Sequence, residues 1–316
     1  MQLSIMLECQ SGLTWPHWMQ LTRVIETLGF SGVYLSDHFP DNSSDSLEAI
    51  TALTFLASHS KTIRFGTLVS PISFRDPVML ARQARMIDDL SGGRMMLGIG
   101  AGHVQEEHEA FGYSLGDIST QMARLREGAQ VIALLMRSNK PVTYDGHYYR
   151  LKEAFLKSPL QRPTPMLIGG NGPKLTLPIV ADYADAWNCL AASVEVFKQR
   201  SALLDTLLRQ AGRAPADVKR TVYVPVICWR NAAGMANLVQ GYRRYPFLVG
   251  LNDVEIVDWL KTNVAAVMGA PENVVDQLQA YEEAGAAEIM MMVIGAGAQV
   301  DYLELLATYV LPHFGN

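Results

Sequence analysis

The stretch Ser91–Gly112, SGGRMMLGIGAGHVQEEHEAFG, decides the fold. It opens on a turn, Ser91-Gly92-Gly93, and continues as a short apolar run, Met95, Met96, Leu97 and Ile99. Glycines then crowd at Gly98, Gly100 and Gly102, and His103, Glu106, Glu107, His108 and Glu109 follow on a helical segment. A short apolar run closed by glycine suits a strand buried on both faces. Glycine at a strand end lets a flat ligand approach the backbone, because no Cβ intervenes. Titratable groups just past such a strand lie where α/β proteins keep their chemistry. The stretch therefore predicts a ligand-binding mouth.

Simpler motifs fail here. A dinucleotide fingerprint would need glycine where His103 stands, and the HExxH zinc pattern is absent, so no metal is expected. His103 and His108 lie five residues apart, which turns them onto different helix faces. Glu106, Glu107 and Glu109 are expected to form a solvated first turn, favoured by the helix dipole. His103, beside the glycines, is the functional candidate.

Outward from this stretch, strands and helices alternate. Leu3–Leu7 is an apolar strand, and Trp18, Leu21, Ile25 and Leu28 repeat at the spacing of one helical face. Val33–Leu35 and Ile63–Val69 are further strands. Asp45 with Glu48 resembles a helix start, and Asp76-Pro77 supplies an N-cap with proline at the first helical position. After a long helix through Leu125, Ile132 and Met136, an Asp145-Gly146 turn within Val142–Leu151 predicts a β-hairpin at the rim. Alternation resumes with Met166–Ile168, Ala186–Cys189, Thr221–Trp229 and Glu288–Ile294. About eight parallel strands close a (β/α)8 TIM barrel. One domain over residues 1–316 fits best, with residues 229–270 as an insertion over the mouth, too long for a plain connection.

Composition agrees. With 316 residues, 49% hydrophobic and 18% charged, the chain suits a large globular core, and its formal charge of −5 argues against a nucleic-acid partner. Cys9, Cys189 and Cys228 are scattered without CxxC, as expected of reduced core residues. The first residues lack a basic n-region and cleavage site, and the apolar run Ile289–Ala298 is too short for a bilayer, so a soluble cytoplasmic protein is expected.

In a barrel, reactive groups gather at the strand C-termini. Those ends carry Asp37-His38, Leu68-Val69-Ser70, Gly100–His103, Gly169–Gly172 and Trp187-Asn188. Asp37 can serve as a loop cap and His38 as a satisfied buried imidazole, or both can be functional. Gly169-Gly170-Asn171-Gly172 can be a loop needing positive φ. Ahead of Pro173 and Lys174, it also presents backbone N–H groups at a helix start, a site suited to phosphate. The phosphate reading is favoured.

These residues resemble a known family. SDHF (Ser36–Phe39), Arg64–Gly112, PVTYDGHYYRL (Pro141–Leu151), Pro165–Asn188 and VLPHF (Val310–Phe314) are similar, in order and spacing, to the bacterial luciferase-like flavin and deazaflavin oxidoreductases. The likeness is strongest to the coenzyme F420-dependent branch and weakest through Arg230–Ala270. The resemblance implies a β/α barrel with a non-prolyl cis peptide near Leu68–Val69 that backs the cofactor ring. It further implies that Asp37 and His38 contact the ring edge and that Ala101, Gly102 and His103 line its other side. Gly169, Gly170, Asn171 and Gly172 would take the cofactor phosphate, with Ser70 and Asn188 nearby. His103 stands where relatives often carry tryptophan or an acid. Either His38 or His103 would exchange the substrate proton, since imidazole titrates near neutrality.

The function so implied is hydride transfer between F420 and a small organic substrate. The alternatives are an FMN-dependent monooxygenase using O₂ and a non-catalytic flavin- or deazaflavin-binding protein. A third is a barrel enzyme that binds a phosphorylated metabolite at Gly169–Gly172. Substrate contacts are expected from Glu8–Trp18, with Trp15 and His17 as possible walls, and from Arg230–Ala270. A homodimer is expected by analogy only.

Overall fold

A computed structural model describes residues 1–40, 46–156, 162–243, 245, 248–293 and 300–315. The expected start at Asp45 lies outside these. The first half runs β1 (Gln2–Leu7), α1 (Trp15–Thr27), β2 (Gly32–Leu35), α2 (Ala49–His59), β3 (Arg64–Thr67), β4 (Ser70–Pro71), α3 (Pro77–Ser91) and β5 (Met95–Gly100). The middle holds α4 (Gln105–Ala110), α5 (Ile118–Arg137), β6 (Val142–Asp145), β7 (Arg150–Ala154), β8 (Met166–Gly169), α6 (Thr176–Tyr183) and β9 (Ala186–Leu190). The remainder is α7 (Val194–Gln210), β10 (Lys219–Cys228), α8 (Ala232–Tyr242), α9 (Asp253–Val264), β11 (Val267–Gly269), α10 (Pro271–Glu283), β12 (Glu288–Met292) and α11 (Val300–Tyr309).

The strands close into an eight-membered parallel ring. β1 pairs on one side with β2, at Ile5↔Val33, and on the other with β12, at Ile5↔Met291. The path continues through β3 with β4, then β5, β8, β9 and β10, and returns to β12. This is the (β/α)8 barrel that the alternation predicts. β11 adds to the end of β10, at Val226↔Val267.

Local chemistry accounts for the elements. The Asp76 carboxylate accepts from the N–H groups of Val78 and Met79, Pro77 follows, and Gly92 ends α3 at φ 70°. Trp18 turns inward from α1, fully buried, and donates from Nε1 to the Ala52 carbonyl. Cys9, Cys189 and Cys228 are buried and unpaired. Burial pushes the Cys189 and Cys228 thiols up to about 12, as inert core cysteines require.

Met6, Tyr34, Leu68, Leu167, Met290 and Met292 fill the barrel interior beneath the C-terminal mouth. At the opposite end Glu288 is fully buried, where it accepts from Ser4 and pairs with Lys219 at 2.6 Å. The hairpin β6–β7 lies against α5, whose Glu127 carboxylate accepts the N–H groups of His147 and Tyr148 at 3.0 and 2.9 Å.

Two expectations are refined. Ile63–Val69 is not one strand: β3 stops at Thr67, the Leu68–Val69 peptide is cis, and pairing resumes at Ser70. The glycines of the opening stretch make room for protein rather than ligand. A Cβ at Gly98 would lie 2.0 Å from the Thr67 carbonyl oxygen, and one at Gly100 would lie 2.6 Å from Val69 Cγ2. Bare backbone on β5 is what lets the bulge at Leu68–Val69 sit between strands.

Candidate functional site

The strand ends surround a cavity of about 920 Å³ at the C-terminal mouth. β1 delivers Glu8, β2 delivers His38 and Phe39, the bulge delivers Leu68 and Val69, and β5 delivers Ala101, Gly102 and His103. β8 adds Gly169 and Gly170, β9 adds Asn188, and β10 adds Tyr223. Tyr245, just beyond α8, completes the wall and donates from its hydroxyl to Glu8 Oε2 at 2.7 Å. Asn188 is buried and donates to Thr221 Oγ1 at 2.9 Å.

Nine of the sequence-predicted residues therefore meet at one mouth: His38, Leu68, Val69, Ala101, Gly102, His103, Gly169, Gly170 and Asn188. The other four, Asp37, Ser70, Asn171 and Gly172, are outside its lining. Asp37 is buried, and its carboxylate accepts from Ser70 at 2.6 Å and from both terminal nitrogens of Arg75. A carboxylate so engaged faces the α2–α3 side rather than a ring in the mouth. Ser70 is buried with it. The Asn171 side chain clamps Leu190, donating to its carbonyl at 2.7 Å and accepting its N–H at 2.8 Å. The Gly172 carbonyl accepts from Thr176 and Leu177, starting α6.

The two candidate imidazoles touch. The rings of His38 and His103 meet edge to face, with centroids 5.7 Å apart and planes at 86°. His38 Nδ1 lies 2.9 Å from Glu107 Oε2, and Glu107 Oε1 accepts the Phe39 N–H. Burial works against charging His38, but the hydrogen bond and charge of Glu107, with Asp37 and Glu8, hold its pKa above the ordinary value. His103 is exposed at the rim and goes the other way. Its partial desolvation and the positive field of His38 lower its pKa, against the pull of Glu107. A pair of titratable groups driven apart in this way can supply an acid and a base at one pH.

Glu107 corrects the expectation of a solvated acidic turn: its side chain is 8% exposed and bound to His38. The sequence groups Glu106, Glu107 and Glu109 in one turn and does not show which of them meets the loop after β2. His108 is structural. It is buried, with Nδ1 on the Val104 carbonyl and Nε2 on Ser73, both at 2.7 Å. Trp15 packs on Phe55 instead of walling the cavity, and His17 is likewise outside the lining. Tyr223, on β10, was missed because a buried strand run does not show which of its side chains faces the mouth; Tyr245 lies within Arg230–Ala270, the segment from which substrate contacts were expected.

A closed parallel barrel with titratable side chains at the strand C-termini is the class of scaffold on which enzymes mount their chemistry. The chain belongs to the luciferase-like monooxygenase family, whose model matches residues 4–288. It is 26% identical over 311 residues to an F420-dependent glucose-6-phosphate dehydrogenase of Intrasporangium calvum, covering 91% of each chain. A protein of the same description from Amycolatopsis mediterranei is 32% identical over 163 residues, which span 50% of this chain and 47% of that one. Among solved structures, an F420-dependent secondary alcohol dehydrogenase bound to an F420–acetone adduct superposes with a TM-score of 0.83 at 19% identity. That superposition covers 100% of this chain and 99% of the other, a likeness of fold. Among the described residues, no helix is long and apolar enough to cross a membrane.

Proposed function

We propose that this protein is an oxidoreductase that transfers hydride between coenzyme F420 and a small organic substrate. The observation that carries the reading is the His38–His103 pair lining one mouth with the Leu68–Val69 bulge. The mouth suits a flat heterocycle. Its wall is the apolar bulge, its floor is Met6 and Asn188, and its volume lies in the range that ligand pockets occupy. When bound there, the deazaflavin supplies a carbon that gives or takes hydride.

The chain's own residues would do the rest. Leu68 and Val69 would back the ring, and Ala101–His103 would face its other side. Backbone groups of Gly169–Gly172, at the start of α6, would hold the phosphate. Asp37 is not retained as a ring contact, because Ser70 and Arg75 occupy its carboxylate. His38 and His103 would exchange the proton that accompanies hydride transfer. Residues 1–316 would act as one catalytic unit in the cytoplasm, with residues 229–270 over the mouth.

Anaerobic turnover tests the reading. Substrate-dependent absorbance change of F420 supports it. In a parallel aerobic assay, oxygen consumption with reduced FMN, without that anaerobic change, supports the second reading, a flavin monooxygenase, which the description of the matching family favours.

A further inference from the structure

His38 and His103 carry the same side chain a few ångströms apart, yet they stand in different fields. His38 is faced by Glu8 from the end of β1, the adjacent Asp37 in the loop after β2, Glu107 from α4 and His103 from the end of β5. His103 is faced by His38, Glu107 and His108. The contact between Glu107 and His38 joins segments 69 residues apart and is largely shielded from water, with side chains 8% and 20% exposed. An ionised carboxylate only accepts hydrogen bonds, so Nδ1 of His38 carries the hydrogen in this contact. The second Glu107 oxygen, on the Phe39 N–H, prevents the carboxylate from swinging away. Nε2 of His38 is then the nitrogen that exchanges protons with a substrate.

We infer that Glu107 is a positioning residue that holds the Nδ1 hydrogen of His38 and so makes Nε2 the nitrogen through which the substrate proton passes. The inference rests on the mouth being a hydride-transfer site. In reduction of a carbonyl, hydride from the reduced coenzyme forms the new C–H bond and the C=O π pair moves to oxygen. The Nε2 proton of His38 then closes the O–H bond, so the carbonyl is reduced and the coenzyme oxidised. In the opposite direction the same Nε2, bare once His38 is neutral, takes the hydroxyl proton back as hydride leaves the carbon, as microscopic reversibility requires. A bond to a carboxylate also sets which tautomer a neutral imidazole adopts.

The test uses the protein without coenzyme. Long-range ¹H–¹⁵N spectra report the protonation and tautomer of each ring across a pH titration. His38 should hold its proton to higher pH than His103 and, once neutral, keep hydrogen on Nδ1. In Glu107→Gln the amide can donate to Nδ1, so the His38 titration should move to lower pH and its neutral tautomer should switch to Nε2–H. Glu107→Asp keeps the charge with a shorter arm and should fall between the two; it carries the test if the glutamine variant does not fold. In turnover, the alkaline limb of kcat/KM for reduction should move to lower pH in Glu107→Gln. Glu109→Gln, at an exposed position outside the cavity lining, should change nothing. A His38 titration and tautomer unaltered in folded Glu107→Gln would overturn the inference. F420 binding, followed separately by fluorescence, distinguishes this outcome from failure of the functional reading.

Discussion

Val69 occupies the space that a side chain at Gly100 would need. A Cβ built on Gly100 would stand 2.6 Å from Val69 Cγ2, and one on Gly169 would stand 3.1 Å from Val69 Cγ1. The glycines of β5 and β8 thus set the position of the bulge that walls the mouth.

Gly100→Ala should push this wall inward. Overpacking a tight site costs about 1–3 kcal/mol. Gly100 is outside the positive-φ glycines, so the cost comes from the Val69 contact. Urea unfolding should show that loss, and Val69→Ala in the same chain should recover part of it. Independent, additive losses would place the strain elsewhere.

Arg75 should matter more for folding than its distance from the mouth suggests. It ties Asp37, whose side chain is 5% exposed, to Glu48, the N-cap of α2. Arg75→Met leaves a buried carboxylate uncompensated, a loss of about 3–5 kcal/mol. Asp37→Asn added to Arg75→Met should restore part of it. Chemical denaturation of the two variants checks this, and a double variant weaker than the single one would contradict it.

The two imidazoles should pull stability in opposite directions with pH. His38 has a raised pKa in the folded state. Its contribution is fully present below the unfolded value of about 6.5 and is lost as pH rises through the folded value. His103 has a lowered pKa, so it weakens the fold as pH falls through the unfolded value towards the folded one. His103→Asn should therefore expose the His38 term, with Tm falling more steeply from about pH 6.5 upward than in His103→Asn/Glu107→Gln. Parallel Tm curves for the two variants would remove Glu107 as the source.

The barrel was legible because its signals are local. Buried parallel strands leave continuous apolar runs, and Asp76-Pro77 and Gly92 mark helix ends whatever lies around them. The strand-end positions of His38 and His103 followed from that alternation. Glu107 was not legible, since its burial depends on where α4 docks against the loop after β2. Gly98 and Gly100 were visible as unusual, but their reason was misread: the occupant of the space above them is Val69, from a neighbouring strand. Asp37 was found beside the mouth, while its partner Arg75, 38 residues on, gave no sign that it would turn the carboxylate away.

In the proposed function this mouth holds a deazaflavin against the Leu68–Val69 bulge, beside the His38–His103 pair. Equilibrium titration of the purified protein with F420 and, separately, with FMN, followed by fluorescence, tests it most directly. Saturable binding of F420 is expected, weakened by Gly100→Ala and stronger than binding of FMN. Saturable binding of FMN without binding of F420, or binding of neither, would contradict it.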